Sequence, residues 1–302
     1  MPGMTYINGE FVPAEQACLP LMDAGFWLGI NVFDVLSARQ GHIFKLEAHV
    51  NRFYRSLHAV RIEIPPSREE FGRLIVETVR RSGLEDAYIQ TIATRGPRMD
   101  LPIDQWPPTL IINAVPYFEI VGPEAAARGL RIRISSVRNV PIQSVDAKIK
   151  TFNRLHSYLA RLEALDAGAD DAIMLDLDGY VTEGRGANVF MVRDGQLFTP
   201  PEGLLEGITR ETVFELAADA GLAASEVRLT PYDLYNADEV FYSTTAGGIM
   251  PIVEIDRRQV GTGTPGPVTN RLREAYWAGH VSGPDATPVY QQEPSAVAHV
   301  PS

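Results

Sequence analysis

Four short segments of this chain carry residue types that could act together on one small molecule. The first holds a lysine amine, the second a carboxylate, the third a glycine before a helical pattern, and the fourth a hydroxyl-rich glycine loop. In chain order they are residues 146–155 (DAKIKTFNRL), 179–188 (GYVTEGRGAN), 207–210 (GITR) and 243–248 (STTAGG).

These four groups are what a bound pyridoxal phosphate needs. A lysine amine forms a Schiff base with the aldehyde, a carboxylate holds the pyridine nitrogen protonated, and a helix start with nearby hydroxyls binds the phosphate. Lys148 and Lys150 would point to the same side of a strand, so by chemistry alone either could be the nucleophile. Each segment also has a purely structural reading as a turn, a helix cap or a loop. Their occurrence together favours the cofactor.

The composition excludes several classes of protein. The 302 residues include 27 basic and 38 acidic ones, a net charge of −11, which disfavours nucleic acids and anionic membranes as partners. Cys18 is the one cysteine, so no intrachain disulfide can form, and no Cys/His cluster has zinc spacing. There is no signal-peptide pattern and no apolar run of about 18 residues, so we expect a cytoplasmic protein.

The first part of the chain, residues 1–118, is predicted to be an α+β domain. Asn8-Gly9 is typical of a hairpin turn, and Ser67 with Glu70 forms a capping box at a helix start. The predicted elements are a hairpin over 5–12, helices over 46–60 and from 67 to Gly83, and strands over 87–94 and 109–117, with a proline-rich loop over 95–108.

Residues 119–129 are the predicted connector, and 130–280 the second domain. A helix is predicted over 152–167, with its leucines (Leu155, Leu159, Leu162, Leu165) directed inward. The other predicted elements are strands over 130–137, 172–177, 189–198 and 239–243 and a helix over 208–220. Residues 281–302 lack periodicity and are rich in Pro, Ser and Gln, which predicts a flexible tail.

At the four segments the sequence resembles the class IV aminotransferases, the fold-type IV pyridoxal-phosphate enzymes, over roughly residues 5–280. The resemblance implies an α+β fold of two domains, a smaller N-terminal α/β domain and a larger C-terminal β-barrel-like α/β domain. It also implies pyridoxal 5'-phosphate as cofactor, ping-pong transfer of an amino group from an amine donor to a keto acid, and a homodimer with its active site between the two domains.

The resemblance assigns roles to individual residues. Lys150, three residues before Asn153, matches the Schiff-base lysine, and Glu183 matches the carboxylate on the pyridine nitrogen. Arg154 lies where branched-chain enzymes have a tyrosine near the ring hydroxyl. The phosphate ligands implied are the arginine of the His49-x-x-Arg52 motif, the backbone amides of Ile208 and Thr209, and Thr244 and Thr245.

For the substrate-binding residues, the resemblance points to more than one branch of the family. Phe33 is expected to line the pocket and Ala246 to contact the substrate. Residues 94–98 (TRGPR) are similar to the loop by which D-amino-acid transaminases bind the substrate carboxylate, which would make Arg98 the carboxylate clamp. Asp100 replaces the histidine of that loop and would weaken an anion site.

Three branches of the family are therefore candidates. Residues 243–251 and 275–277 most resemble (R)-selective amine transaminases, so the first expectation is a transaminase for D-amino acids or (R)-amines with pyruvate or 2-oxoglutarate. A branched-chain L-amino-acid aminotransferase is the second. An aminodeoxychorismate lyase is the third, because residues 153–155 (NRL) are similar to that branch.

Overall fold

The computed structural model describes residues 2–98 and 100–290. Its strands are β1 (Met4–Ile7), β2 (Glu10–Pro13), β3 (Asn31–Arg39), β4 (His42–Phe44), β5 (Ala87–Thr94), β6 (Thr109–Pro116), β7 (Leu130–Arg138), β8 (Asp171–Leu175), β9 (Val181–Gly184), β10 (Asn188–Arg193), β11 (Gln196–Thr199), β12 (Ala224–Glu226), β13 (Glu239–Thr244), β14 (Gly248–Ile255), β15 (Arg258–Gln259) and β16 (Ala286–Pro288).

The helices follow the same chain order. They are α1 (Ala24–Trp27), α2 (Leu46–Ala59), α3 (Arg68–Ser82), α4 (Pro123–Arg128), α5 (Leu155–Asp166), α6 (Ile208–Asp219), α7 (Pro231–Tyr235) and α8 (Pro267–Ser282). The capping box at the start of α3 is present, with Ser67 and Glu70 each bonding the other's backbone, and Gly83 ends the helix in the left-handed conformation. α4 lies inside the predicted connector.

The strands form two sheets. The first is antiparallel, with strand order β16-β4-β3-β5-β6-β1-β2. The second is mixed, with order β12-β11-β10-β13-β14-β7-β8-β9 and β15 beside β14. Because β9 also pairs with β10, through Glu183 and Asn188, six of its strands close into a barrel. This is the two-part α+β architecture expected from the resemblance.

The prediction for the leucines of α5 was wrong. Leu155, Leu159, Leu162 and Leu165 are between 38% and 69% exposed. The buried residues of α5 are Ser157, Ala160 and Ala164, and the two alanines pack against β8. Small side chains let the helix axis lie close to the barrel, and that contact turns the leucine face outward.

The prediction of a flexible tail was also wrong for residues 281–290. α8 continues to Ser282, and β16 pairs with β4 at the edge of the first sheet. Val289 is fully buried in the core of that sheet, and its carbonyl accepts hydrogen bonds from Arg80. The remainder of the predicted tail, residues 291–302, lies outside the described residues.

Candidate active site

The segment that contains Lys150 is fixed to the start of β3. The Lys150 carbonyl accepts a hydrogen bond from the Phe33 amide at 2.8 Å. The Asn31 side-chain oxygen accepts one from the Phe152 amide at 2.9 Å, and the Phe33 and Phe152 rings stack at 4.2 Å. Asn153 donates to the Gly29 carbonyl at 3.0 Å. These contacts hold the backbone of the lysine between the two sheets.

The Lys150 amine lies in a cavity, whereas Lys148 does not. Lys148 is 52% exposed and pairs with Asp146. The Lys150 Nζ atom is 4.8 Å from the centre of the Phe33 ring. Burial, followed by the charges of Arg52 and Arg154, lowers the pKa of Lys150 to about 7. A lysine amine in that condition is substantially neutral near pH 7, as a nucleophile or base must be.

Glu183 lies on β9 in the same cavity and is 8% exposed. Its Oε2 atom accepts a hydrogen bond from the Leu205 amide at 3.0 Å. Burial raises the pKa of Glu183, and the Arg154 charge and the Leu205 amide act in the opposite direction. A carboxylate desolvated in this way gains from a cationic partner, which is what a protonated pyridine nitrogen offers.

The N-terminus of α6 opens into the cavity. Gly207 precedes the helix, and Gly207, Ile208 and Thr209 all line the cavity wall. The first amides of a helix have no partner within the helix and carry a partial positive charge, so they bind anions. A Cβ atom on Gly207 would collide with the Asn188 side-chain oxygen. A side chain at position 207 would therefore displace the Asn188 side chain, which donates to the Leu205 carbonyl.

A buried ion cluster stands behind this helix start. Asp34 accepts hydrogen bonds from Arg52 Nε at 2.8 Å, Arg52 Nη2 at 2.7 Å and His49 Nδ1 at 2.8 Å. Burial opposes the charge of Asp34, but Arg52 and His49 together hold its pKa well below the usual range. Arg52 Nη1 also donates to the Glu206 carbonyl at 3.1 Å. This contact fixes the Arg52 guanidinium group beside Glu206, the residue before Gly207.

Hydroxyl groups lie across the cavity at the end of β13. Thr244 Oγ1 donates to the Gly186 carbonyl at 2.8 Å, and Thr209 Oγ1 lies 3.3 Å from the Tyr276 hydroxyl. Ser243 Oγ is buried without a hydrogen-bond partner among the described residues. Ser243, Thr244, Thr245 and Ala246 all line the cavity. Ser243 belongs to the segment 243–248 but was not predicted as a site residue. Its free hydroxyl is a further hydrogen-bond donor.

The cavity as a whole has a volume of about 510 Å³. Nine predicted residues line it: Phe33, Lys150, Arg154, Glu183, Ile208, Thr209, Thr244, Thr245 and Ala246. Sequence reasoning gave no role to Val35, Tyr88, Arg161 or Arg185, which also line it. For Val35, Tyr88 and Arg161 the only sequence signal is the spacing along a strand or helix that all inward-facing residues share, and Arg185, in the turn after β9, has none.

The structure does not bring Arg98 to the cavity. Its side chain is 53% exposed and forms two hydrogen bonds with Asp100, at 2.9 and 3.0 Å. Asp100, which replaces the histidine of the family loop, therefore binds the Arg98 guanidinium group. Arg98 belongs to an exposed loop ion pair, and the prediction that it clamps a substrate carboxylate has no support in this geometry.

Fold and cavity together define a class of pyridoxal-phosphate enzyme: a buried lysine amine and a buried carboxylate share one cavity with a helix start. Residues 31–255 match the family model described as amino-transferase class IV. The chain belongs to this family and is an aminotransferase with pyridoxal 5'-phosphate as cofactor. The residues present fit that group, because amine, carboxylate and anion-binding amides line a single cavity.

Relatives are similar over nearly their whole length. The putative branched-chain-amino-acid aminotransferase of Methanocaldococcus jannaschii is 38% identical, over 90% of this chain and 94% of its own. The branched-chain-amino-acid aminotransferase of Pseudomonas aeruginosa is 36% identical, over 91% and 92%. Among solved structures, the branched-chain aminotransferase of Thermoproteus uzoniensis with norvaline superposes with a TM-score of 0.89 at 34% identity, covering 95% of this chain and 99% of its own.

The sequence contains no apolar run of about 18 residues, and the helices of the structure can be compared with that observation. Among residues 2–98 and 100–290, none of the helices combines the length and apolar composition needed to cross a membrane. These three relatives are named for branched-chain amino acids, whereas the first expectation from the sequence was a D-amino-acid or (R)-amine transaminase.

Proposed function

We propose that this aminotransferase transfers the amino group of branched-chain L-amino acids to 2-oxoglutarate. The observation that carries the proposal is the lysine amine of lowered pKa beside Phe33, in a cavity that Val35 and Ile120 also line with apolar surface. Relatives named for branched-chain amino acids support it. So does a structural neighbour at 38% identity whose complex contains an N-(5'-phosphopyridoxyl)-L-glutamate ligand.

In this proposal the bound cofactor supplies an electron sink that makes the substrate Cα proton removable. The Lys150 amine, substantially neutral near pH 7, would serve as the base that accepts the substrate Cα proton and as the acid that gives it back. Glu183 would accept a hydrogen bond from the protonated ring nitrogen of the bound cofactor. Arg154 lines the same cavity, its charge favours the ionised form of Glu183, and it would hold the ring hydroxyl of the cofactor.

The binding roles follow from position. The amides of Ile208 and Thr209 and the hydroxyl-rich end of β13 (Ser243, Thr244, Thr245) would hold the phosphate. Arg52 does not line the cavity, and it would support the phosphate site by fixing Glu206 before the helix start. The loop amides at Thr245 and Ala246 bind the substrate α-carboxylate, since Arg98 is engaged elsewhere. Phe33 and Val35 contact the aliphatic side chain.

A panel of donors tests the assignment. With 2-oxoglutarate as acceptor, we expect good turnover of L-leucine and slow turnover of D-alanine and (R)-1-phenylethylamine. Pyruvate release from aminodeoxychorismate is the fourth arm. Efficient use of D-alanine or the (R)-amine with no use of L-leucine would return the chain to the branch first expected from its sequence. Lys150→Ala should abolish turnover, and Lys148→Ala should leave it intact.

We also propose a homodimer, formed through the exposed leucine face of α5. Leu155, Leu159 and Leu162 stand on that face, and Asn153, just before α5, hydrogen-bonds Gly29 beside a second exposed apolar segment. That segment contains Leu21, Phe26, Trp27 and Leu28. Exposed apolar surface of this kind marks an interface, and the family resemblance supports a second copy as the occupant.

The oligomeric state can be tested by light scattering after size-exclusion chromatography. A Leu159→Glu, Leu162→Glu variant places two charges on the α5 face and is expected to elute as a monomer with lost activity. Tyr232→Glu, at an exposed site on α7, is the matched control and should remain dimeric. A monomeric wild-type protein would contradict the proposal.

A further inference from the structure

The short segment that leads into α6 is held by side chains from other parts of the chain. This segment, residues 203–207, contains neither helix nor strand. Asn139 and Arg52 donate to carbonyls near its two ends, and Asn188 Nδ2 donates to the Leu205 carbonyl at 2.9 Å. All three side chains are buried. Because regular secondary structure does not fix this backbone, its conformation depends on these contacts.

Asn188 stands at the point where the barrel closes. It is the first residue of β10, is 4% exposed and lines the cavity. In the sheet it lies opposite Glu183 of β9 on one side and opposite Ser243 of β13 on the other. Asn188 is therefore a direct neighbour of the carboxylate proposed for the ring nitrogen and of the hydroxyl-rich end of β13.

Leu205 connects Asn188 to Glu183 a second time, through its backbone. The Leu205 carbonyl accepts from Asn188, and the Leu205 amide donates to Glu183 Oε2 at 3.0 Å. Only two backbone torsions separate this carbonyl from this amide, because the peptide units themselves are planar. A hydrogen bond that fixes the carbonyl therefore also restricts the direction of the amide. Asn188 thus helps to keep the Leu205 N–H directed at the carboxylate.

The other polar atom of the Asn188 side chain contacts the start of α6. Its Oδ1 atom packs closely against Gly207, where a Cβ atom would collide with it. Gly207 is the residue before α6, and its carbonyl accepts the first hydrogen bond of the helix, from the Glu211 amide at 2.9 Å. One side-chain amide therefore bonds the residue that serves Glu183 and touches the residue from which the helix amides begin.

We infer that Asn188 is a positioning residue for the cofactor, which fixes the carboxylate for the ring nitrogen and the helix amides for the phosphate relative to each other. The inference rests on the proposed function for the roles of Glu183 and of the α6 start, and it is independent of the amine donor. Asn188 acts through Leu205 and Gly207. Its removal weakens the hold on the ring and on the phosphate together.

Calorimetric titration of the cofactor-free, full-length protein with pyridoxamine 5'-phosphate tests this hold without turnover. This probe has no aldehyde, so it measures binding without a covalent bond to Lys150. Asn188→Ala is expected to lower the affinity by about 10- to 100-fold, as for the loss of a hydrogen bond that leaves its partner unsatisfied. An affinity equal to that of the wild type would overturn the inference. Asn188→Ser keeps a hydroxyl donor that a water molecule can extend to the Leu205 carbonyl, so it should recover part of the loss.

Thr199→Val is the matched control for a merely structural effect. Thr199 is fully buried on β11, and its hydroxyl donates to the Val189 carbonyl at 2.7 Å, but it is not part of the cavity wall. The substitution removes a side-chain-to-carbonyl hydrogen bond of the same barrel and should lower the stability to urea as Asn188→Ala does. It should change the cofactor affinity by less than about 3-fold. Equal losses of affinity in Thr199→Val and Asn188→Ala would overturn the inference.

The proton on the ring nitrogen gives a readout that a loss of stability alone would not change. Burial raises the pKa of Glu183, and the Leu205 amide acts against that rise. When the amide turns away in Asn188→Ala, the carboxylate becomes more basic and the shared proton moves from the ring toward Glu183. The nitrogen NMR resonance of ring-labelled cofactor, at saturation, should therefore move toward that of neutral pyridine. It should stay in place in Thr199→Val, and an unchanged resonance in Asn188→Ala would overturn the inference.

A double-mutant cycle with Glu183→Gln separates this inference from the proposed function. Asn188→Ala should cost less affinity in the Glu183→Gln background than in the wild type, because the part that acts on the ring is already lost. Strict additivity of the two substitutions would show that Asn188 does not act through Glu183, and the inference fails. If Glu183→Gln alone binds the cofactor as the wild type does, with the ring nitrogen still protonated, the proposed role of Glu183 fails. The two failures thus appear in different variants.

Discussion

Replacement of Asp34 by asparagine is the most direct test of how the site is supported. Asp34 is 1% exposed, and Arg52 beside it is 4% exposed. In Asp34→Asn the amide oxygen can still accept from His49 Nδ1 and Arg52 Nη2, but the new NH₂ group faces the Arg52 Nε–H donor. One charge-assisted hydrogen bond is lost, and the buried guanidinium keeps no full counter-charge.

The expected cost follows from that geometry. Breaking a buried ion pair from one side destabilises a protein by about 3–5 kcal/mol, because the remaining charge stays buried. Urea unfolding of the cofactor-free protein at pH 7 measures it, since without cofactor no binding free energy contributes. Glu69→Gln, which removes an exposed i,i+4 pair with Arg73, is the matched control and should cost less than about 0.5 kcal/mol.

The pH dependence gives a second check. The pKa of Asp34 is lower in the folded protein than in the unfolded chain, so its stabilisation is complete above the unfolded value of about 3.9. It is lost as the pH falls through the folded value. The difference between wild type and Asp34→Asn should thus be constant from about pH 5 to 8 and shrink in strong acid. A difference below about 1 kcal/mol at pH 7 would refute the reasoning.

Two other predictions concern the cofactor site. In the cofactor-free protein, the reaction of Lys150 with an amine-modifying reagent, followed by mass spectrometry, should rise with a midpoint near pH 7, the value to which burial lowers its pKa; Lys148 is the internal reference, and a midpoint above about pH 9 would contradict the proposed environment. Gly207→Ala should weaken cofactor binding by about 10-fold or more in a fluorescence titration, because the new Cβ displaces Asn188 and with it the start of α6. Gly72→Ala, where a Cβ meets only ordinary contact, is the control, and equal affinities in the two variants would argue against a role for that close approach.

The sequence predicted those features that depend on neighbouring residues. The turn at Asn8-Gly9, the capping box at Ser67 and the start of α6 after Gly207 each depend on side chains within a few positions of one another. The resemblance added what local rules cannot supply, namely that Lys150 and Glu183 share a cavity. Neither residue carries a local signal of burial.

The features that were missed depend on distant contacts. Helical spacing identified the leucine stripe of α5, but spacing alone cannot tell whether a stripe faces a core or an interface. The strand at residues 286–288 has a short, proline-containing sequence and becomes a strand through its pairing with β4. Arg98 matched a known loop, but its engagement by Asp100 depends on the conformation of that loop.

The pairing of β16 with β4 bears on how the molecule is made. The outermost strand of the N-terminal sheet is supplied by residues that leave the ribosome long after the rest of that sheet. During synthesis β4 therefore remains an exposed edge strand. The unpaired backbone of such an edge can pair with strands of other molecules. A fragment that ends at residue 118 keeps that edge strand exposed. A shortened form of the enzyme that contains the N-terminal sheet should therefore also contain residues 286–290.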